Sequence, residues 1–324
     1  MDMMKRKKGI FFTYIAVVFM GLLILTVALE QEGSLRSQSF ILDTRIRTMD
    51  AFASDVELDI SRGVEISGYR ALLGLADYAS AGEYVDNVSV DFFELFNNGS
   101  LYGDSITIMV NNTFDDWLEK MQLEAAKLDI VFNLTINSQA VSHDSPFYVS
   151  VYLNVTYNVT DSKGTARWTR SVPVSARVYI SGFEDPVYTI RTNGYLRSFI
   201  VVSSFSSYVS DGDTTNLQIY TNGSYYSPHE EGPSYLMRLE GDLNSSEYGI
   251  ESIIYGQDLI DLDITYPEIE PNFYQSGRSM VDYVYWGYPG RTAHQIQNMS
   301  SWFRLDNESV NSHLDKYDVD DLVI

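Results

Sequence analysis

Cysteine is absent from all 324 residues, which excludes disulfides, thiolate metal sites and a cysteine nucleophile and leaves packing as the source of stability. Histidine is scarce: His143, His229, His294 and His313 are the four, far apart in the chain and in polar surroundings that read as surface or capping positions. Basic residues are outnumbered, 22 against 44 acids, for a formal net charge of −22. A surface of that sign repels nucleic acid and anionic lipid. No HExxH, GxSxG, Walker or GxGxxG pattern occurs, so no catalytic residue, metal ligand or cofactor is assigned. Asp211-Gly212-Asp213 lacks the further acids of a calcium loop and reads as a turn, and Asp315, Asp318, Asp320 and Asp321 read as a solvated terminus. Carboxylates that converge only in three dimensions, as a glycosidase pair does, escape such a search.

Long apolar runs are as rare as cysteine is absent; there is one. Ile10 to Leu29 carries no charge, and Lys5-Arg6-Lys7-Lys8 stands directly before it. As a helix the run reaches about 30 Å, the thickness of a bilayer's hydrocarbon core. The cations on its N-terminal side, with Glu30 and Glu32 on the other, predict a cytoplasmic N-terminus and an extracellular chain beyond. Thr26-Val27-Ala28 offers a small-x-small site, so complete removal as a signal peptide is the alternative.

Gly9 lies between the last lysine and Ile10. The junction Lys7-Lys8-Gly9 followed by Ile10-Phe11-Phe12 resembles the class III signal of archaeal type IV pilins and pilin-like proteins. The resemblance implies cleavage between Gly9 and Ile10, retention of the apolar helix as an anchor or filament core, and a sheet-containing head after it. The acid common at the fifth mature position in that family falls here on Tyr14, a departure that bears on filament assembly more than on anchoring. The stretch Gly182 to Tyr188 resembles a junction in uncharacterised archaeal exported proteins with the same anchor, which implies no activity.

Glu30 to Gly82 reads as a helical stalk. Leu35, Leu42, Met49 and Val56 recur every seven residues, with Ile46, Ala53 and Ile60 four after the last three, a packing seam of period near 3.5. Its partner is either the protein's own sheet or a second helix. Gly63, Gly68 and Gly74 predict two or three helices in succession rather than one rod.

Farther on, Val88 to Phe96 suits a short helix and Asn97-Asn98-Gly99 a turn. Asn112 or Thr113 caps an amphipathic helix with acids in its first turn and Lys127 near its end. Strand alternation follows over Ile130 to Asn137 and, more strictly, over Phe147 to Thr160. Asp161-Ser162-Lys163-Gly164 turns the chain into a return strand from Ala166 to Ile180. This is a long antiparallel hairpin with one buried and one wet face. Beyond Gly194 the chain mixes short β-prone pieces, such as Phe199 to Phe205 and Leu217 to Thr221, with turns punctuated by Pro228, Pro233, Pro267 and Pro271. Val281 to Trp286 reads as strand or short helix, and Tyr283, Tyr285, Trp286 and Tyr288 as a core layer.

The sequence thus predicts an α+β protein: an N-terminal transmembrane helix continuing into helical segments, then an extracellular antiparallel β-rich ectodomain with an amphipathic helix. The segments are a basic leader 1–9, the span 10–29, the stalk 30–82, an α+β domain 83–188 with the hairpin, and a second, β-rich and irregular region 189–324.

Asn-x-Ser/Thr sequons occur at Asn87, Asn98, Asn111, Asn133, Asn154, Asn158, Asn222, Asn244, Asn298 and Asn307. With 17 asparagines about three would arise by chance. The excess predicts an N-glycoprotein, and Asn133, Asn154 and Asn158 fall on the outward parity of their strands. The expected function is that of a membrane-anchored, glycosylated, pilin-like cell-surface protein with a structural or adhesive role and no enzymatic activity. Its partners are the membrane and, through the N-terminal helix, further copies or other pilin-like subunits, but not nucleic acid. The alternative is a membrane-tethered extracellular hydrolase or ligand-binding protein.

Overall fold

One helix of 78 residues, α1 (Met3–Ser80), runs through the computed structural model, about 117 Å at 1.5 Å per residue. The structure describes residues 3–266, 274–307 and 312–324, with backbone alone for 3–13, 28 and 30–38; Pro267 and Pro271 lie outside it. The expected break-up of the stalk does not occur, because the three glycines are places of close approach rather than hinges. A Cβ on Gly63 would meet the Trp117 ring at 2.8 Å, one on Gly68 would meet Val151 at 3.1 Å, and one on Gly74 Leu95 at 3.3 Å. The helix tolerates a penalty of about 1 kcal/mol per glycine where a bare α-carbon lets a neighbour pack against the backbone.

α1 changes surroundings along its length. Every residue from Tyr14 to Val27 is exposed, whereas Met49, Ala53, Val56, Ile60 and Val64 are fully buried. The predicted seam is therefore split: Met49 and Val56 pack inside the protein, Leu42 and Ile46 stay 43% and 45% exposed, and the Leu35 side chain lies outside the described residues. Among the described residues no helix is long and apolar enough to cross a membrane. Of the run Ile10 to Leu29, the side chains of 10–13 and 28 are not among them, which leaves a stretch shorter than the roughly 20 residues a span needs.

The buried part of α1 is the spine of the head. α2 (Val88–Asn98) starts at Asn87, whose side chain accepts from the Val90 amide, and stops at Gly99, held at φ +71 where a Cβ is disfavoured. α3 (Phe114–Lys127) carries a reciprocal capping box between Thr113 and Asp116. Three long strands, β1 (Ile130–Ser145), β2 (Tyr148–Asp161) and β3 (Arg167–Tyr179), form one antiparallel sheet in that order. Val149, Val151, Leu153, Val155, Tyr157 and Val159 are buried on one face, and Gly68 of α1 lies against Val151. Glu57 of α1 ties the layers together, accepting from Tyr157 Oη (2.5 Å) and Arg170 (3.0 Å). Arg45, one turn before the buried stripe, donates to the carbonyls of Leu128 and Asp129 and to Asp161, where the C-terminal end of α3 favours a cation.

β1 runs beyond the predicted alternation because of a bulge. Ile136 pairs with Val155 and Ser138 with Asn154, leaving Asn137 over. The extra residue shifts the inward parity from Phe132 to Val141 and His143, since a strand's side chains alternate with period 2. Leu153, 3% exposed, tests this register. Leu153→Ala is expected to lower unfolding stability by about 2–5 kcal/mol, and Asn154→Gln by less than about 0.5 kcal/mol, both read from denaturant midpoints. Equal effects at the two positions would contradict it.

Pro186 does not merely end the hairpin; it opens α4 (Pro186–Arg191) at the first helical position, with Asp185 as cap. The rest, expected to be β-rich, contains mostly short helices among the described residues. These are α5 (Thr215–Asn222), which takes the β-prone Leu217 to Thr221, α6 (Tyr235–Glu240), α7 (Gly256–Thr265), α8 (Asp282–Gly287) and α9 (His313–Lys316). Two pairs of three-residue strands lie there, β4 (Tyr226–Pro228) with β5 (Ile250–Ser252) and β6 (Ala293–Gln295) with β7 (Arg304–Asp306), and the two residues Ser198–Phe199 pair back with Glu184–Asp185. Nor is 189–324 a separate unit. Its buried residues join one continuous core with those of α1 and the sheet, and Arg238 of α6 reaches back to Asp185 at 2.6 Å. Tyr283 and Tyr285 are buried in that core and Trp286 and Tyr288 pack against it.

Candidate functional site

The short β4–β5 pair sets Glu251 opposite Ser227, and His229 follows β4 directly. α9 begins at His313, with the Ser312 hydroxyl accepting from the Leu314 amide; positions i, i+3 and i+4 place His313, Lys316 and Tyr317 on one face. That face grips Glu251. Oε1 of Glu251 accepts from Lys316 Nζ (2.7 Å) and Tyr317 Oη (2.6 Å). Oε2 lies 3.0 Å from His313 Nε2 and 3.7 Å from His229 Nε2. The other His313 nitrogen, Nδ1, is 2.9 Å from Asp306 Oδ1, and Asp306 is itself held by Ser279 at 2.6 Å and Arg291 at 3.1 Å.

Glu251, His313 and Asp306 are fully buried. His229 is 8% exposed, and its Nε2 has no hydrogen-bond partner. A pocket of about 550 Å³ opens beside the cluster, walled by His229, Lys316, Ser312, Glu230 and Glu247 among others.

Burial raises a carboxyl group, yet Lys316, His313 and His229 outweigh it and hold Glu251 well below the usual carboxylate range. Burial also pulls imidazoles down. For His229 it prevails, at about 4; for His313 the carboxylates Glu251 and Asp306 overcome it, and the ring is raised to about 9. Two histidines with ring centroids 4.8 Å apart thus hold different protonation at neutral pH, one neutral and one an imidazolium.

The expectation of four surface histidines is overturned for three of them. His229 and His313 meet in this cluster, and His143, also buried, accepts from the Leu236 amide at 3.3 Å and so joins the hairpin to α6. No sequence motif marks the cluster, because His229, Glu251, Asp306 and His313 come from four separate segments; the one local signal is the His313, Lys316, Tyr317 spacing on a helix. The reading of Asp211 to Asp213 as a turn holds: Ser210 bridges Asp213, whose carboxylate accepts from the Thr215 amide. The acids at 315, 318, 320 and 321 are exposed.

Of the ten sequon asparagines, nine are exposed and Asn158 is half-buried. Asn133 and Asn158 are register partners, about 5 Å apart at Cβ, so glycans on both would start from the same spot. The sequon of Asn111 ends at Thr113, whose hydroxyl is held in the α3 capping box. The backbone of Gly9 and Ile10 lies within α1, and their side chains are outside the described residues. No protein-family model matches the chain, nor does any curated protein or solved structure.

Proposed function

We propose that this chain is a membrane-anchored, N-glycosylated, pilin-like surface protein whose work is structural or adhesive rather than catalytic. One observation carries the reading: a single uninterrupted helix is wholly exposed and apolar from Tyr14 to Val27 and buried in the head from Met49 onward. Exposed apolar surface all round a helix has no place in water and is at home in a bilayer. The charge asymmetry of Lys5 to Lys8 against Glu30 and Glu32 then puts the head outside, and the surface position of the sequon asparagines suits that compartment. The junction at Gly9 resembles a pilin-type processing site, which implies a mature chain beginning at Ile10.

The test is biochemical. Expressed in an archaeal host, the protein should resist alkaline extraction from membranes and lose its head to protease added to intact cells. Leu22→Arg with Leu23→Arg should release it, since each central charge raises the insertion free energy by about 2.5–3.5 kcal/mol. An unaltered membrane fraction, or a mature N-terminus near Leu29, would remove the anchor from this account. A tethered hydrolase or ligand-binding protein is the second reading, and the cluster around Glu251 beside its pocket is the observation that favours it.

A further inference from the structure

We infer that His229, Glu251 and His313 form a binding site for one zinc-class divalent cation, with the pocket supplying access and a fourth coordination position. The inference does not rest on membrane anchoring.

Donor chemistry comes first. Two imidazoles and one carboxylate are the set that borderline cations such as Zn²⁺ take, and a three-ligand set leaves a position open. The three donor atoms lie within 4.8 Å of one another. Tetrahedral zinc with bonds near 2.0 Å needs donors about 3.3 Å apart. The Glu251 Oε2 separations of 3.0 Å and 3.7 Å from the two histidines bracket that value.

The surroundings are those of a ligand set rather than a simple ion pair. A carboxylate normally stands beside the other nitrogen of a metal-binding imidazole, and Asp306 Oδ1 lies 2.9 Å from His313 Nδ1 as an ion pair outside hydrogen-bond geometry, while Ser279 and Arg291 fix Asp306 in turn. Glu251 is oriented in the same way, with Oε1 held by Lys316 and Tyr317 and Oε2 turned toward the histidines.

His229 is the independent observation. Its Nε2 is buried without a hydrogen-bond partner and aims at the Glu251 carboxylate from 3.7 Å. A buried, unsatisfied imidazole nitrogen is unfavourable in a structure that serves only packing; coordination would satisfy it. The cation would displace the proton that His313 Nε2 shares with Glu251, and it would cross-link β5, α9 and the loop after β4. In a chain without cysteine that replaces what a disulfide would do.

The experiment uses the full-length protein in detergent, stripped with EDTA and dialysed against Zn²⁺ or Co²⁺. The expected result is one bound ion per chain by elemental analysis, a visible Co²⁺ absorption of tetrahedral intensity, and a metal-dependent rise in Tm. His229→Ala should fold and lose the bound ion, because its Nε2 makes no hydrogen bond. Asp306→Asn should weaken affinity about 10–100-fold. Wild-type protein that takes up no more metal than His229→Ala would overturn the inference. Should that variant fail to fold, a wild-type Co²⁺ spectrum identical to the free aqueous ion would overturn it as well.

Discussion

Replacing Arg238 by methionine is expected to destabilise the protein by about 3–5 kcal/mol, the usual loss when one partner of a buried ion pair is removed. Arg238, Asp185 and Asp282 are all fully buried. The guanidinium donates from Nη1 to Asp185 at 2.6 Å and to Asp282 at 2.9 Å, and from Nη2 to the Ile250 carbonyl at 2.5 Å. Tyr226 and Ser252 add neutral hydrogen bonds to the two carboxylates, so the variant keeps those and loses the counter-charge. Burial already raises Asp282 even with the arginine present. Without it, the folded Asp282 carboxyl would stay protonated to a higher pH than the unfolded one. The folded variant then binds more protons, and its deficit is smallest in acid and deepens as pH rises above about 4. Urea unfolding at pH 4 and pH 7 reads this directly. A deficit under 1 kcal/mol at pH 7, or one that shrinks as pH rises, would show that the arginine is not the counter-ion. Adding Asp185→Asn and Asp282→Asn should recover part of the loss.

The seam on α1 yields the second large effect, through a contrast. Met49 is fully buried against the head, so Met49→Asp removes its packing and places a charge in the core, a loss of about 3–5 kcal/mol or more. Leu42, one heptad earlier, is 43% exposed; Leu42→Asp should leave the unfolding midpoint within about 0.5 kcal/mol. If, as proposed, α1 packs against copies of itself, Leu42→Asp should abolish cross-linking between subunits while the head stays folded. Unchanged cross-linking would place any self-association elsewhere. Destabilisation by Leu42→Asp as large as that by Met49→Asp would mean that the head reaches farther down α1.

Much of the scaffold is legible locally. The alternation from Phe147 to Thr160 and from Ala166 to Ile180 assigns both strands and their buried faces, because a two-residue period leaves one parity apolar. Thr113 with Asp116 marks a helix start through hydrogen bonds three residues apart. The glycines of α1 were misleading for an equally physical reason. Helix propensity records what a glycine lacks, whereas Trp117, Val151 and Leu95 decide at Gly63, Gly68 and Gly74 what that lack admits. The bulge at Asn137 hid the second half of β1, since one extra residue exchanges the faces.

The sequence by itself determined the apolar run at Ile10 to Leu29, the charge asymmetry around it, the hairpin and the sequon positions, all properties of residues close together in the chain. Only the tertiary structure decided that α1 is one rod, that half the seam packs inward, and that four separate segments bring His229, Glu251, Asp306 and His313 together. Local spacing carries no trace of such contacts, because what holds those side chains near one another is the burial of the β4–β5 pair and α9 in a shared core, and not any period along the chain.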